Sequence, residues 1–178
     1  MQLSGYHAIT RSNYEEIVRH GFKLGKGLRG TGVYFWEDNC GYGISLSTGW
    51  YEFCNRKKAY EDCGEKAIAV IQGFFEPEDE YCFLNIADRE TRGKIFHLAK
   101  NRMMDMQNRE GLYAIYDVFF RQLEILTGYR FQVIETTVNT FGIRDTDFPS
   151  QVLGQPYCYL VREPHIIRTK LYGGDDIG

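Results

Sequence analysis

The sequence predicts an α+β fold in a single domain spanning residues 1–178. Three observations carry this expectation. Strand-like segments lie at both ends of the chain with helical patterns between them, an order that argues against regular β-α-β alternation. Residues 67–75 (AIAVIQGFF) are apolar at nearly every position, as a central strand covered on both faces would be. A chain of 178 residues also suits one hydrophobic core, and it carries no internal repeat, low-complexity tract or linker.

Each element follows in order. Residues 3–9 read as a short strand. Ser12-Asn13-Tyr14-Glu15 has the S-x-x-E form of a capping box. The helix it opens should bury Tyr14, Ile17 and Val18 and stop at Gly21, behind the basic Arg19 and His20. A glycine-rich loop over 23–31 leads to a strand at Val33-Tyr34-Phe35-Trp36. The pattern over 42–61 is helical but broken by Gly43 and Gly49. After the strand at 67–75, an acidic turn precedes a short strand at 81–86. Asp88 is placed to cap a helix reaching Asn108, and a second helix over 111–126 ends at Gly128. Segments at 129–137, 157–162 and 166–172 close the chain. A loop through Ser150 and Gly154 joins the first two, and Glu163-Pro164 reads as a turn that ends strand pairing.

Composition excludes some function classes. The formal net charge of −3 supplies no overall basic field, so binding of a polyanion would rest on a local patch. Two basic clusters exist, Lys23/Lys26/Arg29 and Arg56/Lys57/Lys58, and both read as solvated surface. The five cysteines are scattered, with no C-x-x-C pair and no histidine at zinc-ligand spacing, so no metal site is expected and reduced thiols are. No apolar run reaches membrane-spanning length and no signal peptide is visible. A cytoplasmic protein, or one delivered to a target cytoplasm, is the expectation.

Gly25-Lys26-Gly27-Leu28-Arg29-Gly30 matches G-x-G-x-x-G in letters only. A dinucleotide fingerprint needs a strand before it and a helix after it, and here the order is reversed. The informative residues lie on either side. Gly5-Tyr6-His7-Ala8-Ile9-Thr10 is followed by the capped helix, then His20-Gly21-Phe22, the glycine loop, and Gly30-Thr31-Gly32-Val33-Tyr34-Phe35. In this order the residues resemble the poly(ADP-ribose) polymerase-like branch of the ADP-ribosyltransferase superfamily. That branch carries Tyr-His-Gly on a strand, a helix ending in Gly-Phe, a glycine loop and Gly-[VI]-Tyr-Phe. The likeness covers roughly the first 40 residues closely and the last 25 loosely.

The resemblance implies a split pair of β-sheets around an NAD cleft, with residues 88–126 as a helical insert. It implies NAD⁺ as co-substrate, with His7 hydrogen-bonding a ribose hydroxyl and the backbone of Ala8 gripping the nicotinamide carboxamide. Alanine departs from the family's glycine, but its backbone groups still serve at negative φ. Tyr34 would pack against the nicotinamide, and Tyr42 is a candidate second stacking face. In the family, a glutamate opening a late strand binds the ribose. The run Tyr157-Cys158-Tyr159-Leu160-Val161 resembles that strand, and Cys158 stands at the matching position. Strand alternation places Cys158, Leu160 and Arg162 on one face. Gln155, just before, could reach the same place with an amide oxygen, so both residues remain candidates.

The activity implied is mono-ADP-ribosylation of a macromolecular acceptor, protein or nucleic acid. A toxin or phage-defence effector with a neutralising antitoxin or immunity protein would fit this chain. Two rivals stand beside it. An RNA 2′-phosphotransferase-like enzyme needs several basic residues for the RNA phosphate, and the sequence supplies no comparable constellation beside the His7 segment. A non-catalytic NAD or ADP-ribose-binding module is favoured by the missing glutamate.

Overall fold

The computed structural model describes residues 1–38, 41–140 and 148–173. Among these are eight strands and five α-helices, so the α+β expectation holds. Strand β1 (Leu3–Thr10) leads into α1 (Arg11–His20), then β2 (Gly25–Gly27), β3 (Gly30–Glu37) and α2 (Gly43–Arg56). Next come β4 (Ile68–Phe75), β5 (Phe83–Asn85), α3 (Arg89–Asn101) and α4 (Arg109–Thr127). The chain closes with β6 (Val133–Thr137), α5 (Ser150–Leu153), β7 (Tyr157–Val161) and β8 (Ile167–Leu171). No helix of the described residues is long and apolar enough to cross a membrane.

The strands form one sheet in the order β5-β6-β7-β3-β1-β4-β8, with β2 hairpinned onto β3. Its two halves are joined by little. Strand β1 pairs with β4 along its whole length, from Leu3↔Phe75 to Thr10↔Ile68. It pairs with β3 only at Gly5↔Glu37 and Tyr6↔Trp36. The separate sheets expected are therefore one sheet with a narrow junction. Gly5 makes the junction possible, because a Cβ there would lie 2.7 Å from the Trp36 carbonyl oxygen. Beyond Tyr6, β1 and β3 part.

Helices α3 and α4 cover one face of β6, β7 and β3 through Ile95, Ile115, Phe119 and Phe120 against Ile134 and Leu160. Asp117 on α4 accepts from the Thr31 N–H at 2.8 Å and from its hydroxyl at 2.6 Å, pinning the start of β3. On the opposite face, Phe35, Phe75, Val133 and Tyr159 form a second cluster. Leu46 of α2 packs with Trp36, Cys158 and Phe148 in a third.

Several expectations change. The N-cap of α1 is Thr10, whose Oγ1 accepts from the Asn13 N–H, because the β1–β4 ladder runs as far as Thr10. Ser12 instead donates to the Glu65 carbonyl. Tyr14 and Ile17 are half-buried, but Val18 is 63% exposed, since α1 contributes only a narrow stripe. The loop over 23–31 is a tight hairpin with Leu28-Arg29 at its tip and Gly27 paired to Gly30. Strand β4 alternates: Ala69, Ile71 and Phe75 are buried, whereas Ile68 is 43% exposed. Helix α2 runs straight through Gly49. Asp88 caps α3 as expected, but that helix ends at Asn101, and Asn108 caps α4. Glu163 is buried, accepting from Gln132 Nε2 at 3.1 Å and pairing with Arg130 at 2.5 Å. It is more than a turn residue.

Candidate functional site

Where β1 and β3 part, a cleft of about 650 Å³ opens, within the range of small-molecule sites. His7, Ala8 and Ile9 of β1 line one wall, and Val33, Tyr34 and Phe35 of β3 the other. Phe22 and Lys23 after α1, and Lys26 and Leu28 of the hairpin, complete its mouth. The split of the sheet creates the cleft, and the same split turns the His7–Ile9 edge of β1 toward it instead of toward a strand.

His7 bridges the gap. Its Nδ1 donates to the Tyr34 carbonyl oxygen at 2.8 Å. A carbonyl only accepts, so Nδ1 carries the proton and Nε2 is left with a lone pair. The ring is flanked by Phe22 at 6.0 Å and Phe35 at 5.7 Å. Burial lowers its pKa, opposed by the bond to Tyr34, so the imidazole is neutral near pH 7. A neutral, oriented acceptor in an apolar wall suits a hydroxyl donor.

Tyr34 works through its backbone, its ring and its hydroxyl. The hydroxyl donates to the Gly30 carbonyl at 2.9 Å and accepts from the Arg29 N–H at 3.0 Å, tying the hairpin tip to β3. Its ring lies under Gly27, where an added Cβ would collide with it. Burial raises the phenol pKa, so it stays protonated.

Cys158 pairs with Trp36 on β3 and Thr136 on β6, is buried, and lines the cleft. Burial pushes its thiol up, so it carries no negative charge at neutral pH. Leu160 and Arg162 share its face as alternation requires: Leu160 packs under α4, and Arg162 pairs with Glu124 at 2.5 Å over the Phe120 ring. Gln155 is not among the lining residues. Its side chain is exposed and its Oε1 accepts from the Thr137 hydroxyl at 3.3 Å. The structure thus separates the two candidates, with Cys158 in the wall and Gln155 outside it.

Tyr42 also lies outside the lining, its ring meeting Phe148 edge-to-face at 5.5 Å. The aromatic wall from α2 comes instead from Trp50 and Phe53, which stack at 5.4 Å. Their i, i+3 spacing on one helix was the available signal. Glu16, at the rim and paired with Arg19 and His20, is the one carboxylate among the described lining residues. Among the described residues no group of three or more His, Cys, Asp or Glu is arranged to hold a metal ion. Comparison with family models, curated proteins and solved structures yields no match.

Proposed function

We propose that the cleft binds NAD⁺ and that the protein transfers one ADP-ribose to a macromolecular acceptor. The observation that carries this reading is the His7–Tyr34 bridge at the point where the sheet splits. It joins the two segments whose order resembles ADP-ribosyltransferases, and it leaves His7 Nε2 as an acceptor beside the cleft.

Each wall then has a task. His7 Nε2 accepts from a ribose hydroxyl, and the Ala8 backbone holds the carboxamide. Tyr34 gives the nicotinamide a ring to pack on, with Trp50 and Phe53 as further aromatic surface in place of Tyr42. Such contacts are worth roughly 0.5–1.5 kcal/mol each beyond burial. In the reaction the C1′–nitrogen bond breaks and nicotinamide leaves with the electron pair, while an acceptor lone pair forms the new bond to C1′. The protein's contribution is orientation and exclusion of water.

Cys158 sets the limit. A carboxylate beside the growing positive charge could supply about 3–4 kcal/mol in a dry site, and a neutral thiol supplies less. Chain elongation, which in the family depends on that carboxylate, should therefore fail, leaving single transfer. The same residue favours a second reading, a non-catalytic NAD-binding module. Incubation with labelled NAD⁺ separates them: nicotinamide release with label on an acceptor supports the transferase, and retention of intact NAD⁺ supports the binding module. A toxin or defence role, held in check by a neutralising protein, accords with a small transferase of this kind.

A further inference from the structure

A second cavity, of about 370 Å³, shares no lining residue with the cleft. It lies at the end of β4, where Phe74 pairs with Arg168 and Phe75 with Ile167 of the edge strand β8. The acidic turn after β4 contributes Glu76 and Glu78 to its lining. The turn leading into β8 contributes His165, and β8 itself contributes Arg168. Phe74 and Ile166 add apolar surface.

The charges in this cavity differ from those on the rest of the surface. Arg19, Arg56, Lys58, Lys94, Arg130 and Arg162 each pair with a carboxylate. Arg168 pairs with none of the described residues, although two carboxylates line the same cavity. Glu76 and Glu78 likewise pair with no cation of the described residues. Opposite charges thus face one space without closing on each other, and attraction of both signs is left unsatisfied there.

A buried polar network holds the cavity in this shape. Glu78 donates its N–H to Gln132 Oε1 at 2.9 Å, and Gln132 is only 3% exposed. Gln132 donates in turn to Glu163, and His165 Nε2 lies 3.7 Å from the same carboxylate. The acidic turn and the turn before β8 are therefore tied to each other through Gln132 and Glu163. Asp79 closes the acidic turn by accepting from the Tyr81 and Cys82 N–H groups at 2.8 and 2.9 Å.

We propose that this cavity binds a free α-amino acid with an apolar side chain. The ammonium group meets Glu76 and Glu78, the carboxylate meets Arg168, and the side chain lies on Phe74 and Ile166. The volume is at the small end of ligand sites, which suits one amino acid. Mixed charge also gives selectivity. A plain carboxylate gains Arg168 but meets two like charges, and a plain amine gains the glutamates but meets Arg168. Only a ligand carrying both charges satisfies the whole lining. The proposal does not depend on what the cleft binds.

The test is calorimetry on the full chain with L-leucine and its two single-charge counterparts. Isoamylamine is leucine without the carboxylate, and isocaproate is leucine without the ammonium group. Leucine should bind on the order of tenfold more tightly than either, since each lost charge removes a charge-assisted contact. Arg168→Gln should reduce leucine to the level of isoamylamine. The double variant Glu76→Gln/Glu78→Gln should reduce it to the level of isocaproate. All three side chains are exposed, so thermal melts of these variants should match the parent. No heat from leucine at millimolar concentration would overturn the proposal. So would isoamylamine or isocaproate binding as tightly as leucine, or leucine binding unchanged in both variants.

Discussion

The imidazole of His7 donates Nδ1 to the Tyr34 carbonyl at 2.8 Å, just past the point where β1 and β3 cease to pair. A side chain thus replaces the missing ladder and ties the two walls of the cleft to each other. His7 therefore has a structural role, to which the proposed site adds a ribose-binding one. His7→Ala should lose a part-buried hydrogen bond worth about 0.5–1.5 kcal/mol, with some further loss of aromatic packing. NAD⁺ turnover should fall at least on the order of tenfold. Thermal melts beside nicotinamide release decide the balance. A large melting loss with unchanged turnover per folded molecule would make His7 a core residue.

The same burial makes a pH prediction. Histidine ordinarily titrates at 6.5, and burial lowers His7 below that. Above pH 6.5 the imidazole is neutral in both the folded and unfolded chains. As the pH falls further, the unfolded chain binds a proton that folded His7 refuses, so stability declines until the lowered folded pKa is reached. Denaturant midpoints of the parent should drop more steeply below pH 6.5 than those of His7→Gln. Parallel curves would show that His7 is not held neutral by the fold.

For Tyr34 the ring and the hydroxyl separate. Tyr34→Phe keeps the stacking surface but leaves the Arg29 N–H and Gly30 carbonyl without their shared partner. Stability should fall by about 1–3 kcal/mol while NAD⁺ affinity changes little. Tyr34→Ala should lose both. Calorimetry and melts on the two variants distinguish the contributions, and equal affinity loss in both would place the hydroxyl on the ligand.

Thiol reactivity reports the state of Cys158. Cys82 and Cys158 are buried with raised pKa, whereas Cys54 and Cys63 are partly exposed. Brief alkylation at neutral pH, read by mass spectrometry, should label Cys54 and Cys63 well before Cys158. Rapid labelling of Cys158 would mean that it faces open solvent or is ionised.

Much of this architecture was legible because local chemistry controls it. Asp88 and Gly128 mark helix ends by satisfying backbone groups within one turn, and the alternation of 157–161 follows from strand geometry. The hairpin at Gly25–Gly30 looks like a loop in sequence because its partner strand lies immediately beyond it and its glycines carry no side-chain pattern. Tyr42 fell outside the lining and Trp50 entered it because the rotation of α2 is set by tertiary packing of Leu46 and Tyr51. The meeting of Glu76 and Glu78 with Arg168 around one cavity is long-range, and no spacing in the sequence announces it. Cys40 and residues 141–147 lie outside the described residues.

The most direct test of the central claim is incubation with NAD⁺ labelled in its adenylate half, analysed by chromatography and a denaturing gel. The account predicts free nicotinamide together with label on an acceptor as one discrete shift, both reduced in His7→Ala. Intact NAD⁺ with no label on any acceptor, at millimolar NAD⁺ and with folded protein, would contradict it.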